Sequence, residues 1–437
     1  MSDIARPELW REGQEKIEWA SRFMPITRTL GEELRASGSV RGKRIGLVLV
    51  LEPKTANLAL ALARAGADVA VMCDASSARD DTAAALDHAG IAVFAREDAS
   101  AETDHRFALD LLDLRPDILV DDGSSVTRLA HSERPGVLET MIGATEETTS
   151  GLRPLRVMER TGDLRIPVLA ANDARCKTLF DNGYGTGQST LFTMLDVLGA
   201  PLGGRSVVVA GFGYVGRGVA RHALALGARV TIAEVDPVKA LEARFASYSV
   251  EPLARAARHA DLLISATGIA HTIDVEHLLA LPDGAAVAVS GGVDQEIAID
   301  AVIAAGARRR TVAPDLEQFE LPNGRSILVL DDGGCINCTV GEGNPIEIMD
   351  LSFGVQTAAI DFLAREGSTL AHAVHLLPAS VDDRVARVKL DHFGSRVDDA
   401  SEAQLRFLSE GQPAAAGQPA AAGHPAAAGQ PAAEAQP

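Results

Sequence analysis

Lys177 and Asp181 lie four residues apart in the stretch NDARCKTLFDNGYGTG, residues 172–187. If the segment is helical, ammonium and carboxylate share one face. On a surface such a pair is an ordinary solvated salt bridge. Beside a ligand it becomes a proton-transfer site, because burial and neighbouring charge move a lysine pKa. The segment joins two α/β units, which favours the second reading. Gly211, Gly213 and Gly216 form a G-x-G-x-x-G that follows an apolar strand (207–210) and opens a helix. Gly211 makes the tight turn, Gly213 lets the backbone approach a pyrophosphate, and Gly216 allows close helix–sheet contact. The first helical residues, Tyr214 and Val215, then offer free N–H groups to the phosphates. Glu234 ends the next strand, VTIAE, and is placed to accept hydrogen bonds from ribose hydroxyls. A carboxylate there repels a 2′-phosphate, so the expected cofactor is NAD rather than NADP. Asp121 and Asp122 close another buried strand, at the end where open parallel sheets bind ligands. Cys335 and Cys338 form a C-x-x-C without a second ligand pair, so no metal is expected and the thiols are read as inert.

Those residues need strands and helices to hold them. RIGLVLVL, DVAVM, IAVFA and DILVDDG read as strands, separated by the helical TANLALALARAG and ARDDTAAALDHAG. This βαβα order predicts a parallel sheet covered on both faces. A second unit begins near residue 188, with later strands in DLLISATG, AAVAVSGG and RSILVLDD. Residues 12–36 read as one helix, packed by Trp10 and Trp19. Arg308–Arg310 read as a solvated face or a loop between strands. EIMDLSFGVQTAAIDFLAREG reads as a helix that packs back near the first unit. The expected fold class is therefore α/β, with two Rossmann-like doubly wound parallel-sheet domains joined by hinges. The expected boundaries are 1–183, 184–343, a return over 344–395 and a segment at 396–410. Residues 411–437 repeat Gly, Gln/His, Pro and Ala; proline breaks helices and this composition builds no core, so a disordered tail is expected.

The chain has 437 residues, 46% hydrophobic and 4% aromatic, with a formal net charge of −19. That charge argues against general binding to nucleic acid or anionic membrane. No apolar run is long enough to span a bilayer, and the charged N-terminal stretch has no signal-peptide core. Four scattered cysteines fit reduced thiols and a cytoplasmic location.

Across about residues 12–410 the chain resembles the S-adenosyl-L-homocysteine hydrolase (adenosylhomocysteinase) family. The resemblance is carried in order by KIEWASRFMP, DDG (121–123), GATEETTSGL (143–152), IPVLAANDARCKTLFDNGYGTGQS (166–189), VVVAGFGYVGRG, IAEVDP, SATG, LPNGRSILVL, INCTVGEGNP and VHLLP. It makes the first unit a substrate domain and the second an NAD domain. It implies that tightly held NAD oxidises the ribose 3′-hydroxyl, that the ketone acidifies the C4′ proton, and that the 5′ thiol is expelled before water adds. By the same resemblance Lys177 takes the 3′-hydroxyl proton, for which its pKa must fall. Asp181 binds that hydroxyl, Glu147 the ribose hydroxyls with Thr148 beside it, and Asp122 lies near C4′. Asn182 lies beside the nicotinamide, Thr148, Thr149 and Ser150 reach the cofactor, and Thr267 and Asn337 are further NAD contacts. A nucleoside thioether is the implied small-molecule partner, and a homodimer or homotetramer the implied assembly.

The chain also departs from the family's pattern. Glu52 and Lys54 stand where a histidine and a threonine follow the first strand. Gly292 replaces a histidine in GGVD, Asn344 replaces one in GNP, and Thr186 replaces a cysteine. None of the eleven histidines fills these places, and His375 belongs to a different family position. The family's Lys-and-Tyr tail is replaced by the repeat. Lys54, Asn344 and Gly292 are thereby candidates for the altered substrate pocket, and Glu52 for a proton shuttle. The retained groups oxidise the ribose and handle the C4′ proton; the missing histidines serve the leaving group, water and the nucleoside. The expectation is a divergent member with an altered substrate or outcome, in specialised nucleoside metabolism. The alternatives are an ordinary hydrolase giving adenosine and homocysteine, a plain dehydrogenase, and a non-catalytic NAD-binding regulator.

Overall fold

Short Val/Ile/Leu/Ala runs form strands buried on both faces in a computed structural model that describes residues 2–291 and 295–410. Gly292 and the expected disordered tail lie outside the described residues. The first sheet takes β1 (Asp3–Ile4), β2 (Arg44–Val48), β3 (Asp68–Met72), β4 (Ala92–Ala95), β5 (Ile118–Asp121), β6 (Gly143–Glu146) and β7 (Val168–Leu169). The second takes β8 (Ser206–Ala210), β9 (Arg229–Ala233), β10 (Ser249–Val250), β11 (Leu262–Ser265), β12 (Ala286–Val289), β13 (Arg308–Ala313), β14 (Leu316–Glu320) and β15 (Ser326–Leu330). The chain then returns to the first sheet as β16 (Val374–His375). The orders are β1-β4-β3-β2-β5-β6-β7-β16 and β10-β9-β8-β11-β12-β15-β14-β13.

Alternation along each strand feeds two cores. In the first sheet Ile45, Leu47, Val69 and Val71 enter one cluster, while Val48, Ala70 and Met72 enter the other. In the second, Val207 and Val209 face one core and Val208 the other. The helix Ile346–Glu366 sends Phe353, Ile360 and Leu363 into the cluster of Ile45 and Val120, so it packs on the first sheet. Its Asp350, fully buried, accepts from Ile26 N (3.0 Å), Thr27 N (2.8 Å) and Thr27 Oγ1 (2.8 Å), satisfying the open N–H groups of the helix Pro25–Ser37. The segment after Phe393 forms a separate unit and carries the helix Glu402–Glu410.

Three expectations need correction. The single helix over 12–36 is two, Trp10–Ser21 and Pro25–Ser37. Pro25 lacks an N–H and fits only the first turn, so it starts the second helix. Trp10 stacks on His88 at 3.7 Å, but Trp19 is 55% exposed and only edges Phe23. The second sheet is not wholly parallel: β13, β14 and β15 pair antiparallel. Arg308–Arg310 lie in β13, an exposed edge strand whose arginines pair with Glu320, Glu317 and Asp332. Charged edges discourage pairing with other chains, and they also hide the strand's pattern.

Candidate active site

One α-helical turn, Arg175–Lys177, runs into a π-helix, Thr178–Gly185. The wider turn brings both the fourth and the fifth residue round to Lys177. Lys177 Nζ donates to Asn182 Oδ1 at 2.7 Å and lies 3.3 Å from Asp181 Oδ2. Both side chains of the ion pair are 6% exposed, so it is not a solvated surface pair. Asn344 Nδ2 donates to Asp181 Oδ1 (2.7 Å), and Ser352 Oγ to Asp181 Oδ2 (2.6 Å). Asn182 Nδ2 in turn donates to Asn172 Oδ1 at 3.1 Å.

The strand ends β5 and β6 supply Asp122 and Glu147. Glu147 Oε2 accepts from Gln356 Nε2, whose amide oxygen accepts from Thr145 Oγ1 at 2.7 Å. Glu147 Oε1 is buried without a hydrogen-bond partner. Burial pushes the Glu147 carboxyl up to about 8, with Lys177 pulling it down and Asp181 pushing it further up. Asp122 is raised to about 6 by burial, against the pull of Lys177. Lys177 itself differs from expectation. Burial lowers its pKa, but Asp181, Glu147 and Asp122 outweigh that and raise it. In the protein chain alone Lys177 is an ammonium held among carboxylates.

Glu52 and Lys54 sit at the end of β2 as a buried ion pair of 2.8 Å. Lys54 Nζ also donates to the carbonyls of Glu342 (2.6 Å) and Asn344 (2.8 Å), which engages its three donors. Burial raises the Glu52 carboxyl while Lys54 lowers it. Gly343 between those carbonyls has φ +67°, and a Cβ there would come within 2.8 Å of Glu52 Oε2. The pair thus supports the loop that carries Asn344. The Asn344 side chain bridges Asp181, Thr186 Oγ1 (3.2 Å) and Ser189 Oγ, which donates to its Oδ1 at 2.8 Å.

At the second sheet, Gly211 turns with φ +96°. A Cβ on Gly216 would lie 2.1 Å from Gly211 O, whereas a Cβ on Gly213 would meet nothing within 4 Å. Gly213 therefore leaves an open cradle at the start of the helix Tyr214–Ala225, beside Val215 and its neighbouring N–H groups. Glu234 braces this turn, accepting from Phe212 N (2.7 Å), Val235 N (2.7 Å) and Asp236 N (3.0 Å). Open turn, helix N-terminus and acid together fit a dinucleotide. Thr267 Oγ1 donates to the buried Glu296 at 3.0 Å, and Gly268 N donates to it at 3.1 Å. Asn337 is buried between Cys335 Sγ (3.2 Å) and Cys338 Sγ (3.2 Å). The Cys338 thiol is pushed well up, first by its hydrogen bond with Cys335, which favours the unreactive protonated form. No group of three potential metal ligands occurs among the described residues.

The two halves meet through backbone. Arg221 donates to Gly183 O at 2.7 Å, and a Cβ on Gly218 would lie 2.7 Å from that oxygen. The π-helix therefore lies against the helix that follows the glycine turn. Thr148, Thr149 and Ser150 open the helix Thr149–Thr161, whose Arg153 reaches Thr267 O at 3.1 Å and Gly268 O. Asn172, Ser352, Gln356, Glu146 and Glu296 escaped the sequence reading. Ser352 and Gln356 left one signal, two polar residues one turn apart, which Asp350 and Thr357 beside them blur.

The family model for S-adenosyl-L-homocysteine hydrolase matches residues 2–137, and that for its NAD binding domain matches 182–343. An adenosylhomocysteinase of Thermotoga maritima is 40% identical over 401 residues, covering 92% of this chain and 99% of the relative. The chain belongs to the S-adenosyl-L-homocysteine hydrolase family. The dinucleotide of the glycine turn is accordingly NAD. Within reach of the same family, an S-inosyl-L-homocysteine hydrolase of Methanopyrus kandleri is 39% identical over 407 residues, covering 93% of this chain and 96% of the relative. Among the described residues no helix is long and apolar enough to cross a membrane.

Proposed function

We propose that this chain is an NAD-dependent enzyme that begins at the ribose 3′-hydroxyl of an S-nucleosyl-L-homocysteine and then acts at C4′ and C5′. The observation that carries this is Lys177, buried against Asp181 and Asn182 of the π-helix that follows it and lies against the NAD helix. NAD held at the glycine turn would supply reversible hydride transfer at C3′. The chain's part is to hold the ribose and move protons. Asp181, anchored by Asn344 and Ser352, fixes the 3′-hydroxyl beside Lys177. Glu147, with one oxygen free, accepts a ribose hydroxyl. Lys177 must shed its own proton before it takes the hydroxyl's. Asp122 and Glu147, titrating at about 6 and about 8, bracket neutrality and are suited to exchange it. With C3′ at the ketone level, a base takes the C4′ proton; Asp122 is the candidate. The C5′–S bond then breaks with its electron pair on sulfur, and water adds at C5′.

A second reading, in which the substrate or the later steps have diverged, is favoured by Asn344. Its amide is held by Asp181, Thr186 and Ser189 and carries no titratable proton to hand to the leaving sulfur or to water. The base is open between adenine and hypoxanthine, since relatives are named for each. Incubating NAD-loaded protein with S-adenosyl- or S-inosyl-L-homocysteine in heavy water separates the readings. Deuterium at C4′ with free homocysteine supports hydrolysis. Deuterium without homocysteine supports a diverged outcome. No reduced nicotinamide and no exchange with either compound would sink the first reading, and the same silence with every other nucleoside tested would sink the second and favour a regulator.

A further inference from the structure

On the sheet face opposite Asp122 and Glu147, a second carboxyl pair is buried. Asp121 and Glu146 are register partners on the parallel strands β5 and β6, so their side chains point the same way. Both are fully buried. Each uses one carboxyl oxygen twice. Asp121 Oδ2 accepts from Thr127 N (2.7 Å) and Thr127 Oγ1 (2.7 Å). Glu146 Oε1 accepts from Gly123 N (2.9 Å) and Thr148 N (2.9 Å). The remaining oxygens, Asp121 Oδ1 and Glu146 Oε2, have no partner. Gly151 leaves room for the glutamate, since a Cβ there would fall 2.3 Å from Glu146 Oε1.

We propose that Asp121 and Glu146 share one proton between these two open oxygens, and that Glu146, as the neutral partner, is a positioning residue for the loops that carry Asp122 and Glu147. Two bare carboxylates side by side in a buried site repel, and one proton turns the repulsion into a hydrogen bond. Glu146 holds it: burial and the charges of Asp121 and Asp122 push its carboxyl well up, while Asp121 rises only to about 6. Gly123 N follows Asp122 and Thr148 N follows Glu147. Through one oxygen Glu146 thus ties down the residue next to each candidate proton carrier.

Isosteres test this without emptying the site. In Glu146→Gln the amide oxygen keeps Gly123 and Thr148, and its NH₂ donates to Asp121. In Asp121→Asn the oxygen keeps Thr127, and the NH₂ donates to Glu146. In the double variant both NH₂ groups face each other with no acceptor between them. The NAD-loaded protein and its variants are compared by thermal unfolding and by turnover of S-adenosyl-L-homocysteine. Each single isostere is expected within about threefold of the parent in kcat. The double is expected to lose roughly tenfold or more in kcat, and at least about 2 °C in Tm beyond the sum of the singles. Glu146→Ala loses activity and Glu146→Gln restores it. The inference is overturned if the double equals the sum of the singles, or if Glu146→Gln alone is as damaging as the double. The activity arm rests on the function proposed above. The unfolding arm does not, so a parent that turns over no S-adenosyl-L-homocysteine leaves the shared proton still decided by Tm.

Discussion

At the strand ends of the second sheet the ligand meets backbone: a glycine turn, the first N–H groups of a helix and one bracing acid. At the strand ends of the first sheet side chains gather instead: a lysine among three carboxyl groups, held by amides and hydroxyls from the π-helix, the long helix Ile346–Glu366 and the loop around Asn344. The difference fits the roles proposed for the two sites. Pyrophosphate charge is permanent, and fixed dipoles complement it without titrating. Proton transfer needs groups whose charge changes near neutrality, and burial of several like groups together provides that. A site of the first kind tolerates no added atom. One of the second kind tolerates no lost charge.

The comparison breaks most decisively at Lys177. Lys177→Met should lower turnover of bound nucleoside by on the order of 10²–10⁴ while NAD stays bound. Reduced-nicotinamide absorbance with nucleoside present, beside the cofactor content of the purified protein, checks this; unchanged reduction refutes the role of Lys177. Lys54→Met leaves Glu52 charged and buried without its partner, and is expected to destabilise by roughly 3–5 kcal/mol. Adding Glu52→Gln should recover much of that in urea unfolding. A double no more stable than the single variant would show that the pair acts otherwise.

The glycine turn responds to added volume. Gly216→Ala should cost about 1–3 kcal/mol, because its Cβ would press on Gly211 O. Gly213→Val should leave the unfolding midpoint of the cofactor-free protein nearly unchanged, since that direction is open, yet lose bound NAD. Equal thermal losses in both variants would contradict the distinction.

The most gradual effect is on pH. The folded Glu147 carboxyl titrates at about 8, above its ordinary range, so the native state binds the proton more tightly than the unfolded chain. Its contribution is complete below the ordinary carboxyl pKa and is lost as pH rises through 8. Stability should therefore fall between about pH 5 and 8 by on the order of 1 kcal/mol per pH unit from this group. Glu147→Gln should flatten that slope. An unchanged slope assigns the pH dependence to other carboxyls.

Much of the cofactor half was legible in the sequence, because a strand, a glycine turn and a helix are contiguous and each glycine has a local reason. Pro25 was an equally local stop signal, passed over in the reading of one long helix. The edge strand β13 was hidden because exposed arginines erase the alternation that marks a strand. On the side of the first sheet, the spacing of Lys177 and Asp181 pointed to a pair that the fold brings together and buries. Nothing local announced the π-helix that also brings in Asn182, nor the amide of Gln356 behind Glu147.

By itself the sequence determined the two α/β units, the NAD turn and the family, since these rest on periodicity and on motifs read within a few dozen residues. Only the tertiary structure decided that the Lys177–Asp181 pair is buried and that the lysine's pKa rises. It also decided that Lys54 spends its donors on the Asn344 loop and that Asp121 faces Glu146. Each of those outcomes depends on desolvation and on charges brought together from distant segments, and only the folded chain settles where they meet.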